Sequence, residues 1–315
     1  MEAPQKRKKA RLDRDSPSSI SESKASPSNF DIKDVVNLER YPIVDLSTKE
    51  AKYLIARCKK EFEDTGSLSL RGFIREDVIK PMYHEIKGLV SHCHRRLEVV
   101  NPWGIARPDF VRKEEEKLGR PLEKNHALNH FCPQDTFALA NDLIPADCLV
   151  NQVYKSEIVR NFVASILEIK ELYLYGDEFQ RLNLMYIKDG GNRAWHFDNS
   201  DFVITLMLNP SQIGGEFEFA PHMRDSNMNE DFDSLKEVFN GRYPTNIRIP
   251  EAGSIHIFKG NRAMHRVRVV YGPEVRTLAV LSYDSVPDRS CPPAKNISLY
   301  GDRVRQIYRA RGEDV

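Results

Sequence analysis

The chain has 315 residues and a formal net charge of +1, with 47 basic and 46 acidic side chains. A balance this close to neutral indicates neither a nucleic-acid-binding nor a membrane-surface protein. No apolar run approaches the roughly 20 residues of a membrane-spanning helix, and the N-terminus lacks the apolar core of a secretory signal. Five scattered cysteines, an odd number, favour a reducing compartment, so we expect a cytoplasmic or nuclear protein.

The first 34 residues differ in composition from the rest. A basic run extends from Lys6 to Arg11 and is followed by Ser-Pro-rich sequence with few apolar side chains. Such a segment cannot offset the entropy lost on ordering, so residues 1–34 are predicted to be a disordered tail. The basic run suits nuclear import through an importin or contact with an acidic partner, and a solvated tail is the alternative.

Residues 35–150 are predicted to be mainly helical and to pack on the domain that follows. A capping pattern at residues 47–50 (Ser-Thr-Lys-Glu) begins a helix that should end near the next glycine. Residues 67–74 alternate like a strand, which we expect at the edge of the main sheet. A second helix is predicted from about residue 76 to residue 99, with Pro81 in its first turn.

Residues 151–290 contain short strand-forming runs separated by turn residues. The runs with this character are 179–187, 202–208, 214–219, 253–258 and 276–283. Many short strands that bring distant residues together are typical of a jelly-roll barrel, so the sequence predicts an α+β fold with a barrel core. Residues 225–248 form a polar insertion that could act as a lid, and residues 291–315 form a C-terminal extension.

Three residues have the order that a mononuclear non-haem iron site needs. His196 and Asp198 form a His-x-Asp motif, and residues two apart on an extended strand point to the same face. His265 lies on a later alternating strand. Two imidazoles and one carboxylate on one face of Fe(II) leave positions open for cosubstrate and O2. His-x-Asp alone is a weak signal and a lone strand histidine is usually a core residue, but their combination predicts a metal site that is also catalytic.

Arg276 begins the next strand and points to the cosubstrate. A guanidinium directed into the barrel loses its hydration and needs an anion nearby. Its planar fork matches a carboxylate, so the distal carboxylate of 2-oxoglutarate is the natural partner. Tyr186 is a candidate hydroxyl donor to the same carboxylate, with a half-buried strand tyrosine as the alternative. Thr205 and Asn183 are further candidates for contact with the cosubstrate.

Residues 179–284 resemble the Fe(II)/2-oxoglutarate-dependent oxygenase superfamily in this order of His-x-Asp, His and Arg. The resemblance implies a double-stranded β-helix core in which the three residues hold Fe(II) and Arg276 holds 2-oxoglutarate. The runs at 195–203 and 214–218 are similar to a narrower branch, the lysine-type halogenases and their hydroxylating relatives, which act on free amino acids. In those halogenases a small residue replaces the carboxylate ligand and leaves room for chloride. Because Asp198 is retained, hydroxylation is expected.

The expected activity is therefore hydroxylation of a C–H bond of a small polar metabolite, a free amino acid or derivative, with release of succinate and CO2. It requires Fe(II), 2-oxoglutarate and O2, with ascorbate as a candidate reductant. Asp201 could pair with a substrate ammonium and Trp195 could form an apolar or cation–π wall; the alternatives are a strand cap for Asp201 and barrel packing for Trp195. A second possible function is an oxygenase acting on a protein side chain or nucleic acid in the nucleus, supported by the basic run alone. The oligomeric state is left open.

Overall fold

Two antiparallel sheets form the centre of the fold in the computed structural model, which describes residues 31–315. The basic run and most of the predicted tail lie outside the described residues. Within the described part of the chain, no helix combines the length and the apolar character that a membrane span requires.

The larger sheet has seven strands, which in spatial order are β1 (Ser67–Leu70), β11 (Ile255–Phe258), β7 (Val203–Asn209), β14 (Arg276–Leu281), β5 (Leu182–Ile187), β3 (Cys132–Leu139) and β2 (His94–Val100). The smaller sheet has four strands, β10 (Asn246–Arg248), β9 (Phe217–Ala220), β12 (Met264–Val267) and β6 (Arg193–His196). Four short strands form two separate pairs: β13 (Val270–Tyr271) pairs with β8 (Ile213–Gly214), and β15 (Tyr283–Asp284) pairs with β4 (Tyr173–Leu174).

The two sheets face each other through aromatic side chains. Phe217 on β9 lies 4.8 Å, between ring centroids, from both His256 and Phe258 on β11. His265 on β12 lies 4.9 Å from Phe258. Side chains alternate along each strand, so every strand gives one set to this interior and the other set to an outer layer. The architecture is the double-stranded β-helix that the sequence predicts, within an α+β fold.

Helices make up the outer layers, and the structure has them at α1 (Lys49–Thr65), α2 (Glu76–Ile86), α3 (Arg107–Leu118), α4 (Leu149–Lys155), α5 (Glu157–Leu167), α6 (Phe232–Phe239), α7 (Pro293–Tyr300) and α8 (Asp302–Ala310). Helix α5 contacts α1 and α4, α4 contacts α2, and α2 packs on β7 of the larger sheet. Helices α7 and α8 pack together, and α7 covers β2 and β3. The predicted support of the barrel by helices is therefore confirmed.

Helices α3 and α6 lie over the outer face of the smaller sheet. Leu235 and Val238 of α6 are buried in a cluster that also contains Trp103, Trp195 and Met264. Helix α6 therefore packs against the smaller sheet, and a lid role for the 225–248 insertion stays a prediction.

The region before residue 150 holds one confirmed strand and one incorrect helix. Strand β1 lies at the edge of the larger sheet, as predicted. Helix α2, however, ends at Ile86, and a 3₁₀ turn leads into β2, whose residues pair one by one with β3. Pro81 lies in the second turn of α2, where it lacks the N–H that the helix needs. The predicted helix to residue 99 is wrong because pairing with β3 outweighs local preference.

Candidate active site

Three side chains converge between the two sheets. His196 ends β6 directly opposite His265 on β12, and Asp198 follows two residues after His196. The Asp198 carboxylate lies 3.6 Å from Nε2 of His196 and 3.0 Å from Nε2 of His265. The three candidate ligand atoms all lie within 4.8 Å of one another. The arrangement has the donor set of a two-histidine, one-carboxylate iron site, as the spacing predicts.

Backbone carbonyl groups fix the orientation of both histidine rings. Nδ1 of His196 donates to the carbonyl of Ala194 at 2.8 Å, and Nδ1 of His265 donates to that of Ala263 at 2.8 Å. A carbonyl can only accept, so each Nδ1 carries a proton, and a metal would bind at Nε2 once that nitrogen has lost its own proton. Burial lowers the pKa of His196 well below its usual value, and the charges of His265 and Arg193 lower it further. A neutral imidazole is the form that binds a metal.

Asp198 is held as a carboxylate. Burial would raise the pKa of Asp198. His265 lowers it through its charge and its hydrogen bond, and the charges of His196 and Arg193 lower it further. Together they outweigh burial and bring the pKa below its usual range. The Asp198 N–H donates to the carbonyl of Gly260 at 3.0 Å. A Cβ on residue 260 would lie 2.8 Å from the Asp198 carboxylate, so only glycine leaves room for this side chain.

Arg276 is buried in the interior with part of its hydrogen-bonding capacity free. Its side chain is 2% exposed, and Nε donates to the carbonyl of Gly215 at 3.0 Å. Nη1 has no partner among residues 31–315. Burial lowers the pKa of Arg276 to about 10, so the guanidinium is charged at neutral pH. An unpaired buried donor is costly, and a carboxylate would satisfy it, so the site fits 2-oxoglutarate.

One row of side chains crosses the interior face of the larger sheet beside these groups. Val280 lies opposite Asn183 on one side and Thr205 on the other, and Thr205 lies opposite His256. Asn183 and Thr205 therefore face the interior, and their contact with a cosubstrate stays a prediction. His256 bonds to the hydroxyl of Ser67 at 2.8 Å. Burial, followed by the charges of Arg248, His265 and Arg276, lowers the pKa of His256 to about 3, so its ring is neutral. His256 lines the interior beside the site, and the sequence analysis missed it because it lacks the spacing of a metal ligand.

Trp195 lies on the face of the smaller sheet opposite to His196, Asp198 and His265. It precedes His196 on β6, and adjacent strand residues point to opposite faces. Its side chain is 4% exposed and packs in the cluster beneath α3 and α6, with the guanidinium of Arg266 4.5 Å from its ring. The predicted substrate wall at Trp195 is therefore wrong, and barrel packing describes this residue.

Tyr186 also points away from the interior. It lies opposite Thr277, which neighbours Arg276 on β14 and therefore faces the other way. The Tyr186 hydroxyl donates to the carbonyl of Ile86 at 2.9 Å, at the end of α2. The predicted bond from Tyr186 to the cosubstrate carboxylate is wrong, because that hydroxyl is used to join α2 to the sheet.

Replacing Tyr186 by phenylalanine is expected to leave the 2-oxoglutarate KM unchanged. The loss of one buried hydrogen bond should lower the free energy of unfolding by about 0.5–1.5 kcal/mol. Chemical denaturation together with the succinate assay measures both quantities. Tyr53→Phe is the control, because Tyr53 is 72% exposed. A rise in the 2-oxoglutarate KM for Tyr186→Phe alone would restore the cosubstrate role.

Asp201 lies at the rim of the site. It is exposed and accepts a hydrogen bond from the side-chain amide of Asn261, the residue after Gly260. One carboxylate oxygen stays available for another donor. Pairing with a substrate ammonium is compatible with this position and stays a prediction.

A family model described as Halogenase D matches residues 131–297, more than half of the chain. The search of curated protein sequences found no match to this chain. Similar solved structures include a 2OG-Fe(II) oxygenase family oxidoreductase from Burkholderia pseudomallei (14% identity, 74% of this chain and 91% of that one, TM-score 0.45). Others are a Trichoplax adhaerens prolyl hydroxylase in complex with a hypoxia inducible factor peptide (12%, 81% and 92%, 0.45) and EctD from S. alaskensis with 2-oxoglutarate and 5-hydroxyectoine (15%, 74% and 77%, 0.47). Likenesses this distant do not bear on the substrate.

The matched segment contains the three candidate metal ligands and Arg276, and every strand of the two sheets except β1 and β2. The chain belongs to the Halogenase D family and is an enzyme of the Fe(II)/2-oxoglutarate-dependent dioxygenase superfamily.

Proposed function

We propose that this protein hydroxylates a C–H bond of a free amino acid or a related small polar metabolite. The observation that carries the reaction type is the carboxylate of Asp198, which lies 3.0 Å from the ligand nitrogen of His265. In the lysine-type halogenases that this sequence resembles, a small residue at the position of Asp198 leaves room for chloride. Here the carboxylate fills that place, so the family's name does not transfer to the reaction of this chain.

Each residue of the site has one task in the proposed reaction. His196, Asp198 and His265 hold Fe(II), and Arg276 pairs with the distal carboxylate of 2-oxoglutarate. When bound, the metal and cosubstrate supply the oxidising chemistry, with O2 consumed and succinate and CO2 released. Phe217 lies 5.5 Å from His265 between ring centroids, and together with Phe258 it gives the site an apolar wall on that side.

The proposal is tested by incubating the protein with a pool of free amino acids, Fe(II), 2-oxoglutarate, O2 and ascorbate in chloride buffer. We expect one amino acid to gain one oxygen, measured by mass spectrometry, together with succinate. His265→Ala is the inactive control. A chlorinated product would contradict hydroxylation, and succinate without any oxidised amino acid would contradict the substrate class.

The macromolecular alternative has its support in the basic run from Lys6 to Arg11, which the structure does not describe. Deletion of residues 1–30 separates the two functions. An enzyme acting on a small metabolite should keep full turnover, whereas loss of turnover on deletion would favour a large substrate.

A further inference from the structure

A group of basic side chains lies beside the three candidate metal ligands, and none of the roles above uses it. Arg96 lies on β2, Arg193 on β6 and Lys295 on α7. We call these three residues the cationic cluster. On β6, His196 lies opposite His265 and Arg193 lies opposite Val267, so two residues of β12 match three of β6. This irregularity brings Arg193 to the same face as His196, next to the candidate metal ligands.

A chain of contacts ties the two arginines together across three strands. Nη1 of Arg193 donates to the side-chain oxygen of Gln134 on β3 at 2.9 Å. The Gln134 amide donates to Glu98 on β2 at 2.9 Å, and the same Glu98 oxygen lies 2.8 Å from Nη2 of Arg96. Helix α7 packs on β2 and β3 and carries Lys295 to the same end of the larger sheet.

Several donors here are buried without an acceptor. The Arg96 side chain is 9% exposed, and its Nε and Nη1 have no partner in the described part of the chain. The hydroxyl of Thr136, directly opposite Arg96 on β3, has none either, nor does that of Tyr300 on α7. Buried donors in native proteins are almost always paired. Because all these atoms can donate, the missing partner is an acceptor of several hydrogen bonds.

The charges of the cluster point to the same kind of partner. Burial lowers the pKa of Arg193 to about 10, and the charge of Arg96 lowers it further. Burial likewise lowers the pKa of Lys295, with added contributions from Arg193 and Arg96, while Asp198 opposes the change. Among the described residues, Glu98 is the one carboxylate in direct contact with the cluster, and its ion pair is with Arg96. Arg193 and Lys295 have no carboxylate in contact, although the charge of Asp198 acts on both. Uncompensated charges in a partly buried site favour an anionic ligand.

We propose that the cationic cluster binds a dicarboxylate substrate, such as an acidic amino acid, and holds it beside the metal while Arg276 holds 2-oxoglutarate. The proposal rests on the proposed oxygenase function and names its substrate class. Two carboxylates offset both charges and accept hydrogen bonds from Arg96, Thr136 and Tyr300. An arginine fork also fixes the orientation of a carboxylate, so the C–H bond presented to the metal is set from this end of the site.

The test measures binding instead of turnover. The full chain is loaded with Fe(II) and 2-oxoglutarate without oxygen, and loading is followed by the visible absorption of that complex. L-aspartate, L-glutamate, L-2-aminoadipate and citrate are then titrated by calorimetry, with L-asparagine and L-glutamine as uncharged counterparts. The variants are Arg96→Gln and Lys295→Gln. Arg95→Gln is the matched control, because Arg95 neighbours Arg96 on β2 but faces outward and pairs with Asp135.

We expect at least one acidic probe to bind, with its amide counterpart at least about tenfold weaker. Arg96→Gln and Lys295→Gln should each weaken that probe about tenfold or more, with 2-oxoglutarate loading unchanged, and Arg95→Gln should have no effect. The inference is overturned if no acidic probe binds the loaded protein, if amides bind as well as acids, or if Arg96→Gln weakens 2-oxoglutarate instead. Failure of the wild-type chain to load at all would instead contradict the proposed function.

Discussion

Replacing His265 by alanine is expected to abolish turnover and to lower Fe(II) affinity by more than about 100-fold. Loss of a group that merely orients a metal ligand costs about 10- to 100-fold, so loss of a ligand should exceed that range. His265 is 3% exposed, and within residues 31–315 its ring has no side-chain hydrogen bond apart from its contact with Asp198, so the sheets should stay folded. Bound iron is measured after desalting, turnover by succinate release, and folding by circular dichroism.

The control for this prediction is His84→Ala on α2, because His84 is exposed and far along the chain from the site. It should keep iron and turnover at wild-type levels. Normal iron content and activity in His265→Ala would rule out this residue as a ligand. Loss of the circular dichroism signal would call for His265→Gln, which keeps bulk at the position, and that variant should also lose iron.

Replacing Arg276 by methionine is expected to raise the KM for 2-oxoglutarate by about 10- to 150-fold, because a hydrogen bond to a charged group contributes about 1.5–3 kcal/mol. Methionine keeps most of the buried volume of the side chain, so the barrel should hold its shape. The amino acid KM should change much less than the 2-oxoglutarate KM. Arg276→Lys keeps the charge without the fork and should recover part of the affinity.

An exposed arginine provides the comparison for this variant. The Arg289 side chain is 60% exposed and lies near Asp284, and Arg289→Met should leave both KM values unchanged. Equal 2-oxoglutarate KM values for Arg276→Met and wild type would place the cosubstrate anchor elsewhere. Equal rises in both KM values would indicate a general disturbance of the barrel.

Two of the three candidate metal ligands could be found in the sequence because their geometry is local. His196 and Asp198 are two residues apart, and the alternation of a strand already brings them to one face. The same alternation, applied strictly, would have excluded Trp195, because it neighbours His196. Tyr186 could not be excluded in this way, since its direction depends on which residue of β14 lies opposite, and that register is set by the fold.

The cationic cluster could not be predicted from the sequence. Arg96 lies in a stretch whose local pattern suggests a helix, and only its pairing with β3 makes it a strand residue. Lys295 lies 199 residues after Arg96 (295 − 96), on a helix that carries no motif. Gly260 gives a weaker signal. The sequence shows a glycine shortly before His265, but only the structure shows that this glycine leaves room for the Asp198 side chain.

The backbone bonds of the two histidine rings have a consequence for how the site tolerates change. In many metal sites a neighbouring side chain orients the ring, and its mutation weakens the metal. Here the acceptors are the carbonyls of Ala194 and Ala263, which every residue type possesses. Side-chain substitution at those two positions leaves the acceptors in place, so the orientation of the rings is sensitive to the path of the main chain and not to the identity of its neighbours.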